Sequence, residues 1–144
     1  MTTLAPAVPD GEALLAYHRL RAALGRFDKP PQALSATERA AAARTAAREY
    51  ALEQRVLASP EAAGAVVSQQ AVESALATVV ARYADAAEFE ADLLANGLTE
   101  TTLRAALRRQ LRVEAAMEQV ASRAADISEL DVMLYYYLHH ERLV

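Results

Sequence analysis

The stretch from Asp85 to Val120, DAAEFEADLLANGLTETTLRAALRRQLRVEAAMEQV, ends in a helix with two unlike sides. After Thr99, the residues Leu103, Ala106, Leu107, Leu111, Val113, Met117 and Val120 share one half of the helical wheel. Arg104, Arg108 and Arg112 share the other half. A helix this long and this one-sided must lie against an apolar neighbour. Its boundaries have chemical causes. Asp85 can cap a shorter helix before it. Asn96-Gly97 stops that shorter helix, because glycine enters the left-handed conformation common at helix C-termini. Leu98, Thr99 and Leu103 stand at N′, N-cap and N4, the spacing of a hydrophobic staple. The pattern predicts a helical hairpin with Phe89, Leu93, Leu103, Leu107 and Leu111 in its core. Gln110 and Glu114 break the rule, since both project near the middle of the apolar arc.

The rest of the chain follows the same diet of helix formers. Met1 to Asp10 contains two prolines and reads as a flexible tail. From Gly11 to Phe27, Tyr17, Leu20, Leu24 and Phe27 fall at helical spacing. Pro30-Pro31 forces a connector. Ser35 and Glu38 form a capping box that opens a long, alanine-rich helix to about Ala58. Small residues on most of its sides suit close neighbours. Ser59-Pro60 starts a short turn that Gly64 ends. Val67, Ser68 and Val72 make a second staple, and the helix from Gln69 to Tyr83 follows. Ile127, Ser128 and Val132 make a third, before LDVMLYYYLHH. The sum is an all-α domain of about six helices spanning residues 11–144.

Composition narrows the function classes. The chain has 144 residues and no cysteine, which removes thiolate nucleophiles and Cys-ligated metals. Its net charge of −4 argues against nucleic acid. No basic n-region or long apolar run marks secretion or a membrane span, so the expected location is the cytoplasm, with no membrane partner. Histidine occurs only at His18, His139 and His140. The adjacent pair lacks the i, i+4 spacing of two metal ligands on one helix face, and a solvated helix end is the simpler reading. Glu49 and Glu53 are read as a solvated charged face. No catalytic, cofactor or metal residue is expected.

Two groups stay open between a structural and a binding role. Gln110 and Glu114, facing a core, need partners. Arg44, Arg48 and Arg55 are candidates for a register-fixing ion pair, and a polar anchor for a bound peptide is the other reading. Tyr135, Tyr136 and Tyr137 either pack on the first helix or present an aromatic face to a client chain.

Particular residues also carry a family resemblance. Val67-Ser68 to Val72, Phe89 to Leu98, Leu103 to Leu111 and Ile127 to Tyr136 resemble the N-terminal helical domain of SurA-like, parvulin-linked chaperones. The stretches RFDKPP and LASPEA, with the helices around them, look like the nitrogenase-maturation branch, the NifM-type prolyl isomerases. The resemblance implies a client-binding module that assists maturation of the nitrogenase iron protein. It also implies peptidyl-prolyl isomerase activity for the family. In the family the Tyr-Tyr run leads into the parvulin catalytic domain, and here Leu143-Val144 end the chain, so the catalytic domain is expected to be absent. A helical oligomerisation domain, forming a homodimer, is the third reading. The terminal helix is expected to pack on Tyr17, Leu20 and Leu24.

Overall fold

The computed structural model describes residues 11–125 and, beyond them, Leu134, Tyr135, Leu138 and His139. Six helices follow in order: α1 (Gly11–Phe27), α2 (Ala36–Leu57), α3 (Pro60–Ala63), α4 (Gln69–Val80), α5 (Ala86–Ala95) and α6 (Glu100–Ala125). A 3-10 turn, Pro31–Ala33, joins α1 to α2. No strand occurs among the described residues, and the chain is all-α. No described helix is long and apolar enough to cross a membrane. The flexible-tail reading of residues 1–10 and the third staple at Ile127 to Val132 lie outside the described residues.

Local chemistry sets the helix ends. Ser35 Oγ accepts from Glu38 N–H, and the Glu38 carboxylate accepts from Ser35 N–H, so the capping box closes. Ser59, Ser68 and Asp85 cap α3, α4 and α5 by accepting from the backbone N–H three residues on, without a return bond. At the end of α5, Gly97 has φ 73°. Leu98 N–H donates to Leu93 C=O at 2.8 Å and Gly97 N–H to Leu94 C=O at 3.2 Å, the bond pair of a Schellman motif. Leu93, Leu98 and Leu103 are buried together in one cluster, so this motif and the staple use the same apolar contact. Thr99 and Thr102 close a reciprocal box at the start of α6, a role for Thr102 that the Thr-x-x-Thr spacing could have signalled. The helix expected to reach Tyr83 ends at Val80, where the backbone enters turns.

α1 lies along α2, and α6 runs past α1, α2, α3 and α4. The α1–α2 contact is built from small residues: Ala22, Ala23 and Ala42 are buried with Leu34, and Ala46 is fully buried. The main core joins Leu14, Tyr17 and Leu20 of α1 to Leu76 of α4, Phe89 and Leu93 of α5, and Leu103, Ala106 and Leu107 of α6. Leu111, expected among them, is only half-buried, because it sits one turn past the part of α6 that this core covers. The arginines of α6 do not form a free polar face. Arg104 pairs with Glu73, Arg108 donates to Val67 C=O and Gln69, and Arg112 donates to Ala62 C=O. Each guanidinium ties α6 to a different part of the α3–α4 segment.

Candidate functional site

Two features stand out along α6, a polar joint and an open cleft. The joint lies where α1, α2 and α6 meet. His18 of α1 is 2% exposed and Glu53 of α2 is 5% exposed. His18 Nε2 lies 3.4 Å from Glu53 Oε2, and Nδ1 lies 3.7 Å from Glu49 Oε2. Arg109 of α6 donates to Glu53 Oε1 at 2.8 Å and to Gln54 Oε1 at 2.8 Å. Burial raises the carboxyl pKa of Glu53, and His18 and Arg109 outweigh it, so the net shift is downward. Next to this trio, the Tyr17 hydroxyl donates to Gln110 Oε1, and Gln110 Nε2 donates to Glu114 Oε2 at 3.1 Å. Burial pushes the Tyr17 phenol up to about 12, so it remains a donor.

These placements correct several expectations. Glu53 is not on a solvated face. It is held inside by a histidine and an arginine from other helices. Arg44, Arg48 and Arg55 are exposed, and the polar partner of Gln110 is Tyr17 instead. Gln110 is half-buried and Glu114 is exposed, so the amide, not the carboxylate, enters the apolar arc. Tyr17 and Leu20 belong to the core shared with α4, α5 and α6, and the packing of the terminal helix expected on them and on Leu24 lies largely outside the described residues.

The cleft lies between the end of α2, the start of α3 and the second half of α6. It has a volume of about 360 Å³. Leu52, Val56, Ala116, Met117 and Val120 give it apolar walls, with Arg55, Ser59 and Glu61 at its polar positions. Arg123 pairs with Glu61 at 2.7 Å and fixes that side. Tyr135 is half-buried, with its hydroxyl donating to Met117 C=O at 3.4 Å and its ring centroid 4.5 Å from that of His139. One member of the aromatic run therefore sits beside a cleft residue. Tyr136 and Tyr137 lie outside the described residues. Gln110 and Glu114 are brought together with Tyr17, but they do not line the cleft. The cleft was not singled out in the sequence. Its signal was present in Leu52 and Val56 at i, i+4 and in Met117 and Val120 at i, i+3.

The cleft offers shape and apolar surface without a reactive constellation. No group of three His, Asp or Glu side chains among the described residues is placed to hold a metal ion.

Two curated proteins are similar to this chain, each with the name "Putative peptidyl-prolyl cis-trans isomerase NifM". The one from Azotobacter vinelandii is 36% identical over 126 residues. The one from Azotobacter chroococcum mcd 1 is 34% identical over 126 residues. Each match covers 88% of this chain and 43% of the relative. The chain therefore spans less than half the length of these relatives. No family model matches the chain, and no solved structure matches it.

Proposed function

We propose, from the premise that this chain is a NifM-type relative, that it is a client-binding chaperone module that holds an extended apolar segment in the cleft beside α6. The observation that carries the reading is the cleft itself. Leu52, Val56, Met117 and Val120 are each partly open to solvent although Ala62 and Ala116 beside them are buried. Its volume falls at the lower end of the range of about 300–1,000 Å³ seen for ligand pockets. A client side chain of Leu, Ile or Phe type gains roughly 1.5–3 kcal/mol on full burial. Two or three such side chains give roughly 3–9 kcal/mol before the costs of association and ordering are subtracted, so the dissociation constant lies above about micromolar. Weak, reversible holding of this kind suits a client that must leave again. Glu114, exposed on α6 three residues before Met117 and outside the cleft, serves with Gln110 as a polar anchor for the part of the segment that runs past the cleft, and Tyr135 supplies an aromatic wall. The resemblance makes the nitrogenase iron protein the first client to test.

The relatives' name supports a second reading, prolyl isomerisation. That reaction faces a barrier of roughly 18–20 kcal/mol and needs a pocket that holds the twisted amide. A prolyl-peptide turnover assay separates the two readings. Client binding without acceleration above a heat-denatured control supports the holding role. Acceleration by the 144-residue chain overturns it.

A further inference from the structure

His18 is a titratable group that the proposed client site does not use. It is buried at the α1–α2–α6 joint with a carboxylate oxygen facing each ring nitrogen. Neither nitrogen has a hydrogen-bond partner beyond these two contacts among the described residues. A neutral imidazole carries one N–H donor and one bare nitrogen. Its bare nitrogen would face a carboxylate lone pair, acceptor against acceptor. Only the imidazolium can donate toward both Glu49 and Glu53. The remaining groups around the ring do not supply an alternative. From α2, Tyr50 approaches with its ring, centroids 5.9 Å apart. From α6, Arg109 is committed to Glu53, and Glu114 is bonded to Gln110. From α1 itself, Tyr17 stacks edge-on at 5.4 Å and gives its hydroxyl to Gln110, while Arg21 is exposed.

We propose that His18, Glu49 and Glu53 form a proton-operated latch that holds α1 on α2 and α6 while the imidazole is charged and loosens when it is neutral. Arg109 is what makes the latch sensitive. Its guanidinium bonds Glu53 and helps hold that carboxyl ionised, so Glu53 does not take up the lost proton to relieve the mismatch. The α1–α2 contact beside it consists largely of alanines, which bury little area per residue, so a mismatch at the imidazole falls on a thinly packed seam.

The direction of the effect is fixed. Burial lowers the pKa of His18, the two carboxylates more than offset it, and the folded value lies above the usual 6.5. The stabilisation is then complete below about pH 6.5 and disappears as pH rises through the folded value. Glu49 and Glu53 have lowered pKa values, chiefly through His18 for Glu49, and their share is lost only as pH falls through those values. The latch is therefore tightest in mildly acid solution and opens toward alkaline pH.

Hydrogen exchange on the full chain tests this, read for residues 11–27 and, as an internal control outside the joint, for residues 69–80. Measurements at about pH 6 and about pH 9 are corrected for the intrinsic exchange rate. The expected result is a several-fold loss of α1 protection relative to the control at the higher pH, absent in His18→Gln. An unchanged protection ratio, or a His18→Gln protein that keeps the wild-type pH dependence, overturns the latch. If His18→Gln does not fold, the ring-proton NMR titration of wild-type His18 decides instead. A midpoint above about 6.5 that coincides with the loss of α1 protection supports it, and one at or below that value overturns it.

Discussion

The two halves of α6 carry the same apolar spacing and meet different surroundings. In the first half, Leu103, Ala106 and Leu107 are sealed by α1, α4 and α5, and Leu103 has no exposed surface. In the second half, Met117 and Val120 keep the spacing but face a cleft of about 360 Å³. The difference lies in the length of the partners. α4 and α5 have 12 and 10 residues, against 26 in α6, and they cover only its start. Among the described residues, the stripe that outruns α4 and α5 meets α2, α3 and Tyr135 instead, with the cleft between them. Between the halves sits Arg109, which ties α6 to the buried Glu53 and marks the change from dry core to open wall.

Substitutions along α6 should separate these regions by the quantity they change. Leu107→Ala, in the sealed half, should cost roughly 2–5 kcal/mol in urea unfolding and leave client affinity per folded molecule unchanged. A cost under about 0.5 kcal/mol would place Leu107 on the surface instead. Arg109→Ala should cost less, roughly 1–3 kcal/mol, because Glu53 keeps His18 and Arg109 is itself 24% exposed. Replacing His18, Glu53 and Arg109 together by apolar residues of similar volume should recover most of that loss, since no buried charge is then left alone. If the triple variant is less stable than Arg109→Ala, the joint contributes net stability. Gly97→Ala should cost about 1–2 kcal/mol, the penalty of a side chain at φ 73°. Met117→Ala should be the mildest, under about 1 kcal/mol for a half-buried residue, yet it should weaken client binding. Equal stability losses for Leu107→Ala and Met117→Ala would erase the distinction between the two halves.

The sealed half was legible in the sequence because its causes are local. Asp85, Gly97, Leu98 and Thr99 lie within a few residues of the helix ends they set, and Leu103 to Leu107 follow one helical period. The polar joint was not legible. Glu53 receives one partner from α1 and another from α6, and no local rule brings those helices together. A faint signal existed in α2, where Ala42, Ala46 and Glu53 continue one buried stripe. Glutamate at its end resembled one more surface charge, because arginines surround it in sequence. The cleft was hidden for the opposite reason. Met117 and Val120 look like core by period, and among the described residues the shortness of α4 and α5 leaves them half-buried beside the cleft.

The role of the open half can be measured directly by titrating the protein with a fluorescent, extended apolar peptide, comparing the wild type with Val120→Asp. Circular dichroism of both proteins accompanies the titration. Client holding at the cleft predicts binding by the wild type with a dissociation constant above about micromolar and at least a tenfold weaker constant for Val120→Asp, about 1.4 kcal/mol, at equal helix content. Equal affinity of the two proteins at equal helix content would show that the client does not sit beside α6.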